Sequence, residues 1–374
     1  MQAVIDVFED SWSSGIDFGY QGKFEKLYTK SFCEFQGGGF ADAVSSGSAA
    51  IFLAIGALDL PKGSNVIVSP VTDPGSINPV ILQGLNAIVS DSVKNSYNIG
   101  VEEFENSLTE NTRAAIITHL GGHPCDIEPI VEIAKSKGIK IIEDCSQSHG
   151  AIIKNERVGN FGDIAVFSTM FSKNHATGGC GGVVFTKNEK YYWRIRSLSD
   201  RGKPFDSLKS NPRDPSSNLF PSLNYNIDEI SCAIGTSTLS KLQGIIDKRL
   251  EIYACFKKYL HESSVVSPIN LLPDTIPSLF FITVIVDVDR LTISKIKFAE
   301  AVAAEGIDLN PDYQFVVWQW DWIRKYIRNK YPTENAIDFK NKTFNILFNE
   351  RYTHGDVMDI LDSIKKVESV YIKD

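Results

Sequence analysis

No CxxC pair occurs among the six cysteines and no HxH pair among the six histidines. In a chain of 374 residues the scattered thiols therefore read as free side chains in a reducing cytoplasm, not as a disulfide framework or a zinc site. Metal catalysis has no support in the sequence. No GxGxxG follows the first expected strand and no GxxxxGK[ST] occurs, so dinucleotide and P-loop sites lack their fingerprints. Basic charge is also short: 38 Lys and Arg face 46 Asp and Glu, a net of −8. An acidic body has no electrostatic reason to seek nucleic acid or an anionic membrane surface. The apolar stretch beginning at Leu279, with Thr283 inside it, is about half of the roughly 20 residues a bilayer needs. The start, MQAVIDVFEDSW, lacks a basic segment followed by an apolar one, so no signal peptide is expected.

What is present is ordinary globular material, 43% apolar and 22% charged, which excludes disorder over most of the chain. The length suggests two units. Short β-branched runs at 65–69 (NVIVS), 87–90, 114–118, 139–143, 163–168 and 182–186 alternate with helical spacing, as in 127–137, closed by Gly138. Nearly continuous apolar strands joined by helices imply a mostly parallel sheet covered on both faces. Residues 190–222, rich in Pro, Ser and Asp, read as a long surface loop. A helix is expected over 228–262, where it could join two domains. A strand over 279–288 and helices over 294–305 and 355–370 then suggest a smaller α+β unit.

Ligands of open α/β sheets bind beyond the carboxyl ends of the strands. Four segments there stand out. Ser45, Ser46, Gly47 and Ser48 precede an apolar helix, where small residues let amides approach an anion; the same string also serves as a plain cap. Asp144 ends a strand and is followed by Cys145, Ser146 and Gln147; a helix cap is the competing explanation. Ser168 is followed five residues on by Lys173 and then by a Gly-rich run, and a lysine in such a turn can be desolvated enough to form a Schiff base. Asn224, Tyr225 and Asn226 precede the long helix. Jointly, a phosphate cradle, a strand-end carboxylate and an amine are what pyridoxal 5'-phosphate requires for its phosphate, ring nitrogen and aldehyde.

With those residues in place, the chain resembles the DegT/StrS-type sugar aminotransferases over nearly its whole length. The likeness is strongest at SSGSAAIFLAIGALDLPKGSNVIV, THLGGHPCDIEPIVEIAKSKGIKIIEDCSQSHGA, VGNFGDIAVFS with Lys173 and Asn174, and LNYNIDEISCAIG. The resemblance implies an α/β fold of the fold-type-I pyridoxal phosphate transferases. Residues 1–245 would form a large domain whose mostly parallel central sheet is sandwiched by helices, with the first 20 or so residues placed against the small domain. Residues 246–374 would form the smaller α+β carboxyl-terminal domain. It implies Lys173 as the Schiff-base lysine and proton shuttle, Asp144 at the pyridinium nitrogen, and Gln147 near the phenolic oxygen. The amides of Ser48 and Ala49 and the Ser168 hydroxyl would hold the phosphate. Asn224 would reach the neighbouring subunit's phosphate, so a homodimer with shared active sites is expected.

The implied reaction moves an amino group, by resemblance from glutamate, to a nucleotide-linked keto sugar in polysaccharide or natural-product biosynthesis. Dehydration of the sugar, or a cofactor-binding sensor or scaffold without turnover, are the competing readings. Relatives with His in place of the lysine are dehydratases. Counting forward from Phe167 and Ser168 puts Lys173 at that position; counting back from Gly181 and Gly182 puts Asn174 there. Three positions depart from the family pattern. Asp73 stands where an aromatic residue usually stacks on the cofactor, Cys180 where Glu is common, and Asn226 where Arg is common. Asn310, Tyr313 and Asn349 are polar candidates in the carboxyl-terminal region.

Overall fold

The computed structural model describes residues 1–205, 214–329 and 331–373. Its strands are β1 Phe40–Val44, β2 Asn65–Val68, β3 Asn86–Val89, β4 Thr112–Thr118, β5 Lys140–Asp144, β6 Ile152–Ile153, β7 Glu156–Arg157, β8 Ile164–Ser168 and β9 Gly182–Thr186, then β10 Val266–Pro268, β11 Thr275–Ile276, β12 Ile282–Val286, β13 Leu309–Asn310 and β14 Thr343–Ile346. The helices are α1 Gln2–Ser14, α2 Lys23–Gln36, α3 Gly47–Leu58, α4 Pro74–Leu82, α5 Val101–Asn106, α6 Ile127–Ser136, α7 Glu189–Ser199, α8 Glu229–Leu239, α9 Leu242–Leu260, α10 Lys295–Ala304, α11 Glu334–Lys342 and α12 His354–Tyr371.

Side chains alternate across a strand, so a strand apolar at every position must be covered twice. That is what β4 does: Ala115 and Ile117 enter one core with α2, α6 and α8, while Ala114 and Ile116 enter another with α3 and α4. The sheet order is β1-β9-β8-β5-β4-β2-β3. β3, β2, β4, β5 and β8 are mutually parallel, and β9 is antiparallel to both of its neighbours. The expected mostly parallel sheet, covered by helices on both faces, is therefore present. Because β8 and β9 form an antiparallel pair, the loop joining them lies at the carboxyl edge of the sheet, beside the end of β5.

A second sheet, β10-β12-β14-β13, forms the smaller unit with α9, α10 and α12. Helix α9 belongs to both units. Leu242 and Ile246 sit in the first core, whereas Ile252, Tyr253, Phe256 and Leu260 sit in the small one. The chain beyond residue 246 also returns to the large sheet: Val317, Ile323 and Ile327 are buried against it. There Ile327 bridges Ala87, and the Asn329 Oδ1 accepts from the Val89 amide at 2.7 Å. That strap covers the edge of β3, which would otherwise expose unpaired backbone groups.

Three expectations need correction, and one strand is additional. The amino-terminal helix packs on the large unit, with Val7 fully buried beside Tyr28 and Cys232, and not on the small domain. Residues 189–199 form α7 instead of a loop, capped by the Asn188 side chain; of the remainder of that expected loop, 206–213 lie outside the described residues. The single helix over 228–262 is two. Thr236, Thr238 and Ser240 each donate to a carbonyl three or four residues back, which competes with the helical ladder just where it breaks. Strand β1 went unread because Asp42 interrupts its apolar pattern.

Asp42 is only 1% exposed and Glu25 3%, and both carboxylates meet the Arg196 guanidinium, Glu25 at 2.6 Å. Two buried acids share one cation, so burial first, then repulsion from Asp42, push Glu25 up to about 7, with Arg196 opposing. A folded-state value above the unfolded one of 4.5 means that the folded chain keeps this proton longer. The contribution of Glu25 to stability then falls as pH rises from roughly 4.5 to roughly 7. The difference in urea midpoint between the wild type and Glu25→Gln isolates this group from the buried histidines that titrate in the same window. Across it the wild type should lose on the order of 1–3 kcal/mol relative to Glu25→Gln; parallel curves would refute the raised Glu25 carboxyl.

Candidate active site

The carboxyl ends of β2, β5 and β8 and the amino ends of α3 and α4 open on one cavity of about 380 Å³, closed from the other side by Phe280, Phe281, Tyr313 and Asn345 of the small unit. Clefts of this size at a strand-end edge are usual for small ligands.

One wall is the start of α3. The Ser46 hydroxyl caps the helix by accepting the Ala49 amide at 3.1 Å. The amides of Gly47 and Ser48, in the first turn, have no intrahelical acceptor and face a dipole end that favours an anion. Gly47 is required here by close approach: a Cβ on it would stand 2.6 Å from the Ser168 Cβ. The missing side chain is what lets the Ser168 hydroxyl and the helix start share one cradle. Ala49 does not line the cavity, because its amide is already engaged with Ser46.

Opposite lies Asp144. Its Oδ2 accepts from the Ser76 hydroxyl at 2.7 Å and its Oδ1 from the Ser146 amide at 3.1 Å. Ser76 in turn accepts from Thr72 at 2.8 Å, and Thr72 from Thr118 at 3.3 Å. This relay of hydroxyls fixes the carboxylate's orientation from three separate elements. Gln147 bridges the two units: its Oε1 accepts the Gly121 amide at 2.8 Å, and its Nε2 donates to the Tyr313 hydroxyl at 3.3 Å.

Lys173 lines the same cavity from the β8–β9 loop, with Nζ 4.5 Å above the Phe280 ring. Burial lowers its affinity for a proton below that of an ordinary lysine, against the pull of Asp144 and Asp73. The free amine, the form that attacks a carbonyl, is thereby more populated near neutrality. Asn174 points elsewhere. Its Nδ2 donates to the Ser278 and Leu279 carbonyls at 3.3 and 3.1 Å, so of the two candidate positions only Lys173 faces the cavity.

The structure thus gathers Lys173, Asp144, Gln147, Ser48 and Ser168, and with them Asp73, Cys180, Asn310 and Tyr313. Asn224 and Asn226 lie outside this chain's cavity; each bridges another segment, Asn224 to Asp200 and Asn226 to Val44, and the exposed Asn224 accepts the Asn226 amide on its Oδ1 at 3.1 Å. Asn349 likewise serves a turn, accepting the Arg351 amide. Thr72, Ser76, Thr118, Phe280 and Asn345 were not anticipated. The only sequence hint was the Thr-Asp-Pro-Gly-Ser string, which reads as a helix start.

The HxxxH spacing of His119 and His123 falls on a turn, not along a helix. His119, Glu143 and Cys145 do cluster beneath the sheet's edge. Glu143, however, already accepts from the amides of Gly159, Phe161 and Gly162 at 2.6–2.8 Å, which makes it a brace for that loop.

Residues 2–365 match the DegT/DnrJ/EryC1/StrS aminotransferase family. The chain is similar to the GDP-perosamine synthase of Escherichia coli O157:H7, with 32% identity over 258 residues that cover 69% of this chain and 67% of that protein. Its fold superposes on an aminotransferase from Psychrobacter cryohalolentis with a TM-score of 0.90 at 23% identity, over 99% of this chain and 97% of that one. The E. coli GDP-4-keto-6-deoxy-D-mannose-3-dehydratase, solved with hydrated PLP, matches with a TM-score of 0.86 at 23% identity, over 97% of each chain.

The cradle makes a direct forecast. Gly47→Ala should drive Ser168 from its place and weaken binding of pyridoxal 5'-phosphate by roughly tenfold or more, measured by equilibrium dialysis, with the circular dichroism spectrum unchanged. Unaltered affinity would remove the α3 start from the phosphate site.

Proposed function

Because the chain belongs to the DegT/DnrJ/EryC1/StrS aminotransferase family, we propose that it transfers the amino group of glutamate to a keto sugar carried on a nucleotide. The enzyme is a transaminase and its cofactor is pyridoxal 5'-phosphate. The residues present fit that group: an anion cradle, an oriented carboxylate and a partly desolvated amine line one cavity.

The cofactor supplies an electrophilic carbonyl carbon and a conjugated ring that accepts electron density from the carbon losing its proton. This chain's residues supply the rest. Lys173 would hold the carbonyl end, and its amine is the base placed to move a proton between carbons there. Asp144, fixed by Ser76 and Ser146, would accept a hydrogen bond from the ring nitrogen and keep a proton there. Ser168 and the amides of Gly47 and Ser48 would hold the phosphate, and Gln147 would be the neighbour of the phenolic oxygen. Phe280, Phe281 and Tyr313 exclude water from the same space.

The sugar assignment is supported by the relative's name, GDP-perosamine synthase, and the site by Lys173 facing the cavity where a dehydratase would carry histidine. A cytoplasmic location suits six free cysteines, and no helix among the described residues is long and apolar enough to cross a membrane. The homodimer reading is supported by an uncovered apolar stripe on α1, where Ile5, Phe8 and Trp12 are exposed, and by the exposed position of Asn224. In such a dimer Asn224 would reach the partner's phosphate.

Borohydride reduction of the holoenzyme followed by peptide mass spectrometry should tag Lys173. Lys173→Ala should lose both the tag and the visible absorption band, and turnover should fall by roughly 10²–10⁴-fold or more. A variant retaining full activity would overturn the assignment. With glutamate present the sugar product should contain nitrogen; a nitrogen-free product would mean dehydration.

A further inference from the structure

Asp73 is placed with unusual care for a surface carboxylate. It caps α4, its Oδ1 accepting the Gly75 amide at 2.7 Å, and Pro74 fixes the first helical position after it. The preceding residue is pinned twice: the Thr72 amide donates to the Phe315 carbonyl at 3.1 Å, and its hydroxyl belongs to the relay that orients Asp144. The side chain is therefore held at the cavity wall, exposed to that space. Its second oxygen takes no hydrogen bond among the described residues.

The cavity has few charges. Asp73, Asp144 and Lys173 are its charged groups, and Cys180 and Tyr313 its other titratable ones. Asp144 is occupied by Ser76 and Ser146. Lys173, the cavity's one cation among the described residues, lies within 4 Å of no carboxylate and rests over Phe280. Both Asp144 and Asp73 nevertheless act on it electrostatically, against the burial that weakens its hold on a proton.

Under the proposed function Lys173 is committed to the cofactor, and any role of Asp73 toward substrate rests on that function. Asp73 then faces a space whose next cation must arrive from outside. Transamination delivers one in each direction, because primary amines enter and leave as ammonium ions near neutral pH. We propose that Asp73 is a specificity-determining residue that grips the ammonium group of the amino donor, and of the aminated sugar in the reverse direction. A charge-assisted N–H to carboxylate bond inside a partly desolvated cleft is stronger than its neutral counterpart. The same negative charge turns a donor's carboxylates outward, so attraction and repulsion together set its orientation.

Asp73→Asn tests this without disturbing the helix, since asparagine caps as well as aspartate and only the charge is lost. The KM for L-glutamate should rise by about tenfold while kcat changes much less. Independently of any donor, acylation of Lys173 by acetic anhydride in cofactor-free protein, followed by mass spectrometry across pH, should shift to lower pH in Asp73→Asn. Asp73→Glu, which keeps the charge, should restore the profile. An unmoved labelling profile overturns the proposal whichever donor the enzyme uses, and so does an unchanged KM for L-glutamate. Failure of the proposed transaminase function looks different: the wild type would lack the borohydride tag at Lys173, while the labelling comparison would still report on Asp73.

Discussion

Asp144 ends a strand at the centre of a sheet buried on both faces, and its carboxylate is tolerable there because donors reach it from elsewhere in the fold. The Ser76 hydroxyl comes from α4 and the amide of Ser146 from the turn after β5. Thr72 and Thr118 complete the relay behind Ser76. Each of these groups sits where a parallel strand stops and a helix or turn begins, so the relay exists only if β2, β4 and β5 are in register. The register is set in turn by the alternating burial of each strand in two cores. Fold and site are thus one constraint: the packing that aligns the strands also aligns the polar ends.

The antiparallel return of β9 is the second determinant. It brings the β8–β9 loop back across the same edge and delivers Lys173 opposite the α3 cradle. Close packing at Gly47 joins the cradle to Ser168, and a methyl group there would separate them. The small unit closes what the sheet leaves open. Phe280 lies under the lysine amine, Tyr313 meets Gln147, and the Thr283 hydroxyl donates to Asn345 at 2.8 Å on the strand facing the cavity. The strap running from Val317 to Asn329 ties that unit to the β3 edge, so the two walls of the cavity are held by the same stretch of chain.

Much of this was legible in the chain alone. Six apolar runs named six strands of the central sheet, since a parallel strand buried on both faces reads as an unbroken β-branched segment. Lys173, Asp144 and Ser168 were visible because their chemistry is local, polar groups at or just past the end of such a run; the parts given to Gln147 and Ser48 came with the family resemblance. What escaped has equally definite causes. Strand β1 hides behind Asp42, whose partner Arg196 lies 154 residues away. The break between α8 and α9 depends on hydroxyls bonding to carbonyls, which hydrophobic periodicity does not register. Ala49 was assigned to the phosphate by resemblance, and only the tertiary structure shows its amide engaged by the Ser46 hydroxyl.

Sequence by itself determined the chemical vocabulary of this protein: an amine, a carboxylate, a set of hydroxyls and glycines, and the periodicities that place them at strand ends. Tertiary structure alone decided which of them meet. It turned Lys173 inward and Asn174 away, left Asn224 outside its own chain's cavity, and brought Phe280 and Asn345 into the site from segments with no mark of function. The reason is physical. Local propensity and burial pattern act over a few residues, whereas the contacts that orient a reacting group join elements separated by tens to hundreds of residues, and only packing of the whole core sets those distances.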